Sequence, residues 1–302
     1  MIAKMTRTNI MLLSAALLWG LGFVAQRDGM SYVGPFTYSA FRFGIGLIAL
    51  LPVYLLTRRQ EKKIPAGRKT VLRAGLLVGL FLFLAVSAQQ IGLMTSTAAK
   101  AGFITSLYMI LVPVFGLFLG QRTTMMVWVS IALALCGVYL MAVTGNFRIL
   151  PGDLWVLLCA VLWAVHFLFI AHYSSRVGPI RLSMMQFLLC AILSALTAFF
   201  TESLSLSALT AALPSLLYGG IGAVGIAYTL HVVALRDANP AYASLILSME
   251  SVFAALGGWL ILSEGMSTRQ LIGAALILFA VLLTQLRLRP QARAIIRQGD
   301  ET

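Results

Sequence analysis

The sequence has little charge and few groups suited to chemistry. Only 10% of its 302 residues are Asp, Glu, Lys or Arg, acidic residues number nine, and there are three histidines and three cysteines. A soluble domain of this length solvates its surface with roughly 25% charged residues, so most of this surface faces something other than water. Cys136, Cys159 and Cys190 are odd in number and lack C-x2-C spacing, which excludes a disulfide scaffold and a thiolate metal site and leaves them as small packing residues. The chain contains no G-x4-G-K-[ST], no H-E-x-x-H and no G-x-S-x-G, and no Asp falls in the interior of an apolar run to form a carboxylate pair with Glu250. An ATPase and an intramembrane hydrolase are therefore disfavoured, and no cofactor or metal is expected.

What is present is apolar length. The chain is 60% hydrophobic, with a mean hydropathy of +0.95. Apolar runs bounded by charges, Pro or Gly fall at about 9–26, 35–56, 73–93, 98–120, 125–144, 152–172, 180–200, 214–234, 240–262 and 269–286. Each approaches the roughly 20 residues that a spanning helix needs. Pro35, Pro151, Pro179, Pro214 and Pro240 stand at first turns, where a missing N–H costs nothing. The first run follows Lys4 and Arg7 as a signal peptide would, but it lacks an A-x-A cleavage pattern and reads as a retained helix. The expected fold is an all-α membrane protein of ten transmembrane helices.

The formal charge of +13 reflects topology. With the N-terminus inside, the segments between runs place 17 cations on the inner side, and three, Arg27, Arg148 and Arg269, on the outer side. The positive-inside rule then puts both termini in the cytoplasm. Basic charge needs no nucleic-acid partner; the bilayer and a small-molecule substrate are the expected partners, and the sequence leaves the oligomeric state open.

The sequence also repeats. A shift of 144 lays Leu18-Trp19 on Leu162-Trp163, Phe23 on Phe167, Val33-Gly34-Pro35 on Val177-Gly178-Pro179, and Phe43 on Phe187. A shift of 142 lays Leu93 on Leu235 and Tyr108 on Glu250. Each half holds five runs, and an odd number makes the second copy enter from the opposite face. The halves are 1–146 and 147–290, with 291–302 as a cytoplasmic tail. Two inverted five-helix repeats suit rocking around a shared midplane site.

Leu18-Trp19-Gly20, its echo Leu162-Trp163-Ala164, the opening Pro240-Ala241, Glu250-Ser251-Val252-Phe253 and Ser263-Glu264 resemble the EamA-type transporters of the drug/metabolite transporter superfamily. The resemblance spans nearly the whole chain. It implies a central cavity and export of a small metabolite, amino acid or drug across a bacterial inner membrane. Family members commonly carry Glu-Pro-Val and Gly-Glu where this chain has Ser251 and Ser263.

Charged groups inside spans are costly and usually functional. Arg42, about 10 Å below the outer end of its helix, and Glu250, about 15 Å above the inner end of its own, lie at similar depth and could pair. A structural ion pair or a hydrogen-bonded neutral carboxyl is the alternative reading. Lys100, near an outer end, is expected to snorkel. Tyr108 mates with Glu250 by symmetry and Gln186 with Arg42; Trp19 and Phe23 mate with Trp163 and Phe167, and Gly22 with His166. Candidate substrate-binding residues are thus Trp19, Arg42, Tyr108, Trp163, His166, Gln186 and Glu250, with Glu250 also the candidate proton-coupling group. Gln89, Gln90 and His231 are weaker candidates. Pro113 should kink the fourth helix. A secondary exporter by alternating access fits best, and a non-transporting scaffold or a channel is the competitor. The charge count makes a direct test: a reporter active only outside the cytoplasm should be silent when fused after Arg297 and active when fused within Ser203–Thr210. The reverse pattern overturns the orientation.

Overall fold

The computed structural model describes residues 2–61, 64–96, 98–121, 123–142, 150–262 and 267–299. These residues are helical with short connections and, among them, no strand. In chain order the helices are α1 (Ile2–Gly29), α2 (Pro35–Glu61), α3 (Arg68–Leu93), α4 (Ala98–Ser106), α5 (Tyr108–Phe118), α6 (Met125–Ala142), α7 (Pro151–Val177) and α8 (Pro179–Thr201). They continue with α9 (Leu206–Ala211), α10 (Leu213–Leu217), a π-helix (Tyr218–Tyr228), α11 (Thr229–Leu235), α12 (Pro240–Leu247), α13 (Glu250–Leu262) and α14 (Thr268–Gly299). Among the described residues, eight helical stretches are long and apolar enough to cross a membrane, and Met125–Met141 and Thr268–Leu283 are shorter apolar helices. Together they account for the ten apolar runs. The connection expected over Thr57–Leu72 is shorter than the charge pattern suggests, because α2 runs on to Glu61 and α3 starts at Arg68.

The bundle is apolar on its outside, as a hydrocarbon solvent requires. Leu56 is 83% exposed and Phe199 and Phe200 are each 79% exposed, whereas Arg42, His166, Gln186, His231 and Glu250 are buried. Packing pairs come in twos. The π-helix lies on α1 and α2, much as α3 lies on α7 and α8; α13 lies on α1, and α5 on α7. At the centre α2 packs along α8, and at the periphery α6 packs along α14.

The α2–α8 pair is held at both ends by carboxylates. Glu202, just past α8, accepts from the Phe36 N–H through Oε1 and the Thr37 N–H through Oε2, both at 2.8 Å. At the other end Glu61, the last residue of α2, accepts from the Arg181 N–H at 3.1 Å, while the Arg181 guanidinium donates to the Glu61 carbonyl at 3.0 Å. Free N–H groups at a helix start need acceptors, and each helix supplies them to the other. Gly178 turns the chain between α7 and α8 at φ 98°, a region that favours glycine, against the Glu61 carboxylate.

Two runs that read as continuous helices are broken. The fourth divides at Leu107, where the Leu107 N–H bonds the Ile104 carbonyl at 3.1 Å in a tightened turn. The ninth divides at Ser248 and Met249, where the Met249 N–H bonds the Ile246 carbonyl at 3.1 Å. The Ser106 hydroxyl donates to the Gly102 carbonyl and the Ser248 hydroxyl to the Leu245 carbonyl, the kind of back-bonding that bends helices. The break in the fourth run precedes Pro113, which lies inside α5. The eighth run carries the π-helix, over the glycine-rich segment Tyr218–Tyr228.

Removing Glu202 should expose the cost of an uncapped helix start. Glu202→Ala is expected to destabilise the protein by about 1–2 kcal/mol, and Glu202→Gln by less. Thermal unfolding of the detergent-solubilised chain measures both, and an unchanged midpoint for Glu202→Ala would mean that α2 finds other acceptors.

Candidate functional site

The breaks bring the starts of α5 and α13 together inside the bundle. Their first residues are Tyr108 and Glu250, and the Ser106 and Ser251 hydroxyls lie 3.2 Å apart across the junction. Half-helices that begin at membrane depth point backbone N–H groups into the interior, a placement found where helices line a polar cavity. Such a cavity is present. Glu250, Tyr108, Trp163, Phe167 and Tyr228 lie deep in it. Gln26, Tyr38, Arg42, Gln89 and Gly219 line it toward the end of the bundle where α1 and α3 finish and α2 begins. The cation count of the sequence predicts that this end faces outward.

Close helix packing sets the position of Glu250. A Cβ on Gly20 would lie 2.6 Å from the Glu250 carbonyl oxygen and 2.7 Å from the Phe253 Cβ, so α1 meets α13 here only because residue 20 has no side chain. Trp19, one residue earlier, donates from Nε1 to the Ala223 carbonyl of the π-helix at 3.0 Å. Its indole is therefore oriented, with its ring centre 4.7 Å from that of Tyr228. Trp163 stacks near-parallel on Tyr228 at 5.8 Å, and Phe43 lies 5.9 Å from the same ring. Tyr228 is thus the hub of the aromatic wall.

Arg42 does not pair with Glu250. Its Nη1 donates to Gln26 Oε1 at 2.7 Å, and its guanidinium lies 5.1 Å from the Phe43 ring centre and 5.6 Å from that of Tyr38. Aromatic faces support a cation without neutralising it. Tyr108 stands beside the Glu250 carboxyl, and its hydroxyl makes no hydrogen bond of good geometry. The two ionisable groups share the cavity, each held by neutral neighbours.

Of the seven candidates, Trp19, Arg42, Tyr108, Trp163 and Glu250 line the cavity. His166 and Gln186 do not; they lie behind the aromatic wall, fully buried, with His166 Nε2 2.9 Å from Gln186 Oε1. Gln89 lines the cavity, Gln90 donates to the Ser39 hydroxyl at 2.6 Å, and His231 is buried against Phe167. The side chain of Lys100 lies outside the described residues. Gln26 was missed, although it continues the Trp19, Gly22, Phe23 face of α1 by helical spacing. Tyr228 was also missed: the shift of 142 relates it to Val86, which gives no echo. Among the described residues no group of three or more His, Cys, Asp or Glu could hold a metal ion.

Comparison with known proteins is consistent across the chain. The EamA-like transporter family profile matches twice, over residues 6–143 and 150–286. An uncharacterized transporter of Archaeoglobus fulgidus is 31% identical over 273 residues, covering 90% of this chain and 83% of the relative. The uncharacterized inner membrane transporter YedA of Escherichia coli is 27% identical, covering 89% of this chain and 88% of the relative. A solved crystal structure with a TM-score of 0.78 and 23% identity covers 95% of this chain and 99% of its own, and shares the fold.

The geometry changes what mutational coupling should reveal. In a double-mutant cycle on thermal stability, Arg42→Ala and Gln26→Ala should be non-additive, whereas Arg42→Ala and Glu250→Gln should add to within about 0.5 kcal/mol. A larger coupling for the second pair than for the first would mean that arginine and carboxylate meet.

Proposed function

Because the chain belongs to the EamA-like transporter family, we propose that it is a secondary carrier that moves a small organic solute outward by alternating access. Membership makes it an integral membrane transporter and not an enzyme. Our reading goes further, to ten crossing helices in two inverted halves, 1–146 and 147–290, with a tail at 291–302. Both termini lie in the cytoplasm, and the membrane is a bacterial inner membrane, as the name of the E. coli relative says of that protein. The paired packing supports the two-fold relation: exchanging the halves turns α1 against the π-helix into α7 against α3.

One observation carries the carrier reading. Two broken helices meet at the same depth, and their new N-termini present Tyr108 and Glu250 to a cavity. A scaffold has no use for a backbone break inside a bilayer, where each freed polar group costs free energy. A channel needs a continuous path, whereas this cavity lies on one side of the aromatic wall. The substrate site in this reading comprises Trp19, Arg42, Tyr108, Trp163 and Glu250, an aromatic box with one group of each charge. It suits an amino acid or a related compound, or a drug.

Glu250 is the group we assign to proton coupling. Its hydration changes if the halves rock and the cavity closes, and a carboxyl whose surroundings alternate can take a proton on one side and release it on the other. Tyr108, its mate, has no such chemistry near neutral pH, so the device belongs to one half. In proteoliposomes, a panel of amino acids and cationic drugs should reveal saturable, exchangeable flux, and its absence with every solute class would favour the scaffold. Wild-type flux should respond to an imposed pH gradient, and Glu250→Gln should keep exchange while losing that response. Solute accumulation by the Gln variant, with protons as the sole driving ion, would remove Glu250 from the coupling step.

A further inference from the structure

Beyond the aromatic wall lies a polar cluster that the cavity does not reach. His166, Gln186 and His231 are each 0% exposed. One contact, between His166 Nε2 and Gln186 Oε1, uses part of their capacity; His166 Nδ1, Gln186 Nε2 and both His231 nitrogens have no hydrogen-bond partner in the protein. Buried polar atoms left unpaired are costly, and a bundle this apolar could have filled the space with Leu or Phe. The cluster lies directly under the wall. The His231 ring is 4.4 Å from that of Phe167 and 5.3 Å from that of Trp19, and the His166 ring is 5.2 Å from that of Trp163. Those three aromatic side chains line the cavity.

The internal repeat gives the cluster its meaning. Gln186 stands about two turns into α8 from Pro179, as Arg42 stands about two turns into α2 from Pro35. His231 stands about one turn before the end of α11, as Gln89 does before the end of α3. Arg42 and Gln89 line the cavity on the outer side. We infer that His166, Gln186 and His231 form the inner half of the solute path, closed in this structure and opened when the two halves exchange conformations. This rests on the carrier reading above. It adds that the path is chemically lopsided: the open cavity offers Arg42 and Glu250, and the inner half offers imidazole and amide donors and acceptors. The inner half therefore takes water and the hydroxyl, amide or carbonyl groups of a solute.

Side-specific thiol labelling tests this. In a chain with Cys136, Cys159 and Cys190 replaced by Ser, single cysteines are placed by Gln89→Cys, His231→Cys or Gln186→Cys, and folding is checked by monodisperse elution in detergent. A membrane-impermeant charged methanethiosulfonate is then added to right-side-out or inverted vesicles. Gln89→Cys should react at least ten-fold faster in right-side-out vesicles, and His231→Cys and Gln186→Cys at least ten-fold faster in inverted ones. Either inner variant carries the test if the other fails to fold. Should Gln89→Cys label from outside while the inner cysteines stay inert from both sides, or label from the outside, the cluster is packing and the inference falls alone. If Gln89→Cys is itself inert from outside, the cavity reading fails first.

Discussion

The α2–α8 pair, in which each helix caps the other's beginning, is the constraint on which the rest of the structure depends. A helix start leaves its first N–H groups without intrahelical acceptors, and here the protein supplies them. Here Glu202 serves α2 and Glu61 serves α8, from opposite ends of the pair. Two antiparallel helices fixed at both ends cannot slide past each other by a turn without freeing buried donors. That fixes the depths of Tyr38 and Arg42 on α2, and of Gln186 and Phe187 on α8. The π-helix and α3 then pack across this pair, and α1 and α7 pack across them in turn.

Against that fixed centre, the breaks at Leu107 and Ser248–Met249 are where the fold departs from continuous helices. An unbroken α-helix satisfies its own backbone and presents only side chains to a cavity. A broken one presents N–H groups and a positive helix end as well. The local cost is reduced because serine hydroxyls bond the carbonyls of the preceding turns and because Ser106 and Ser251 meet. Ser251 occupies the place where family members commonly carry proline, and here it joins the two breaks.

Hydropathy and charge made the apolar runs legible, because they record what each segment faces. They could not reveal the breaks, since the runs are apolar on every side and their periodicity carries no phase. A trace was nonetheless present: Ser106-Leu107-Tyr108 and Ser248-Met249-Glu250 are the same serine-spacer-polar triplet under the shift of 142. Helix spacing also suggested that Arg42 and Glu250 lie at similar depth and could pair. Depth is one coordinate of three, however, and helix rotation turned Arg42 toward Gln26 on α1. Tyr228 was hidden for another reason: its position depends on the π-helix, whose i→i+5 bonding shifts every later side chain away from the face that α-helical spacing assigns.

The separation of Arg42 from Glu250 has a consequence for energetics. Two opposite charges buried in a bundle recover part of their desolvation cost by pairing. These two do not pair, although both line one cavity. Arg42 rests on Gln26 and two aromatic faces, and Glu250 stands beside a tyrosine hydroxyl and a helix start, so neither is neutralised by the other. Holding them apart leaves both groups facing the cavity without a mutual ion pair. In the carrier reading, a solute of complementary charge or a proton at Glu250 supplies the missing partner. A salt bridge in the same place would make the bundle more self-sufficient and leave neither group free to face the cavity.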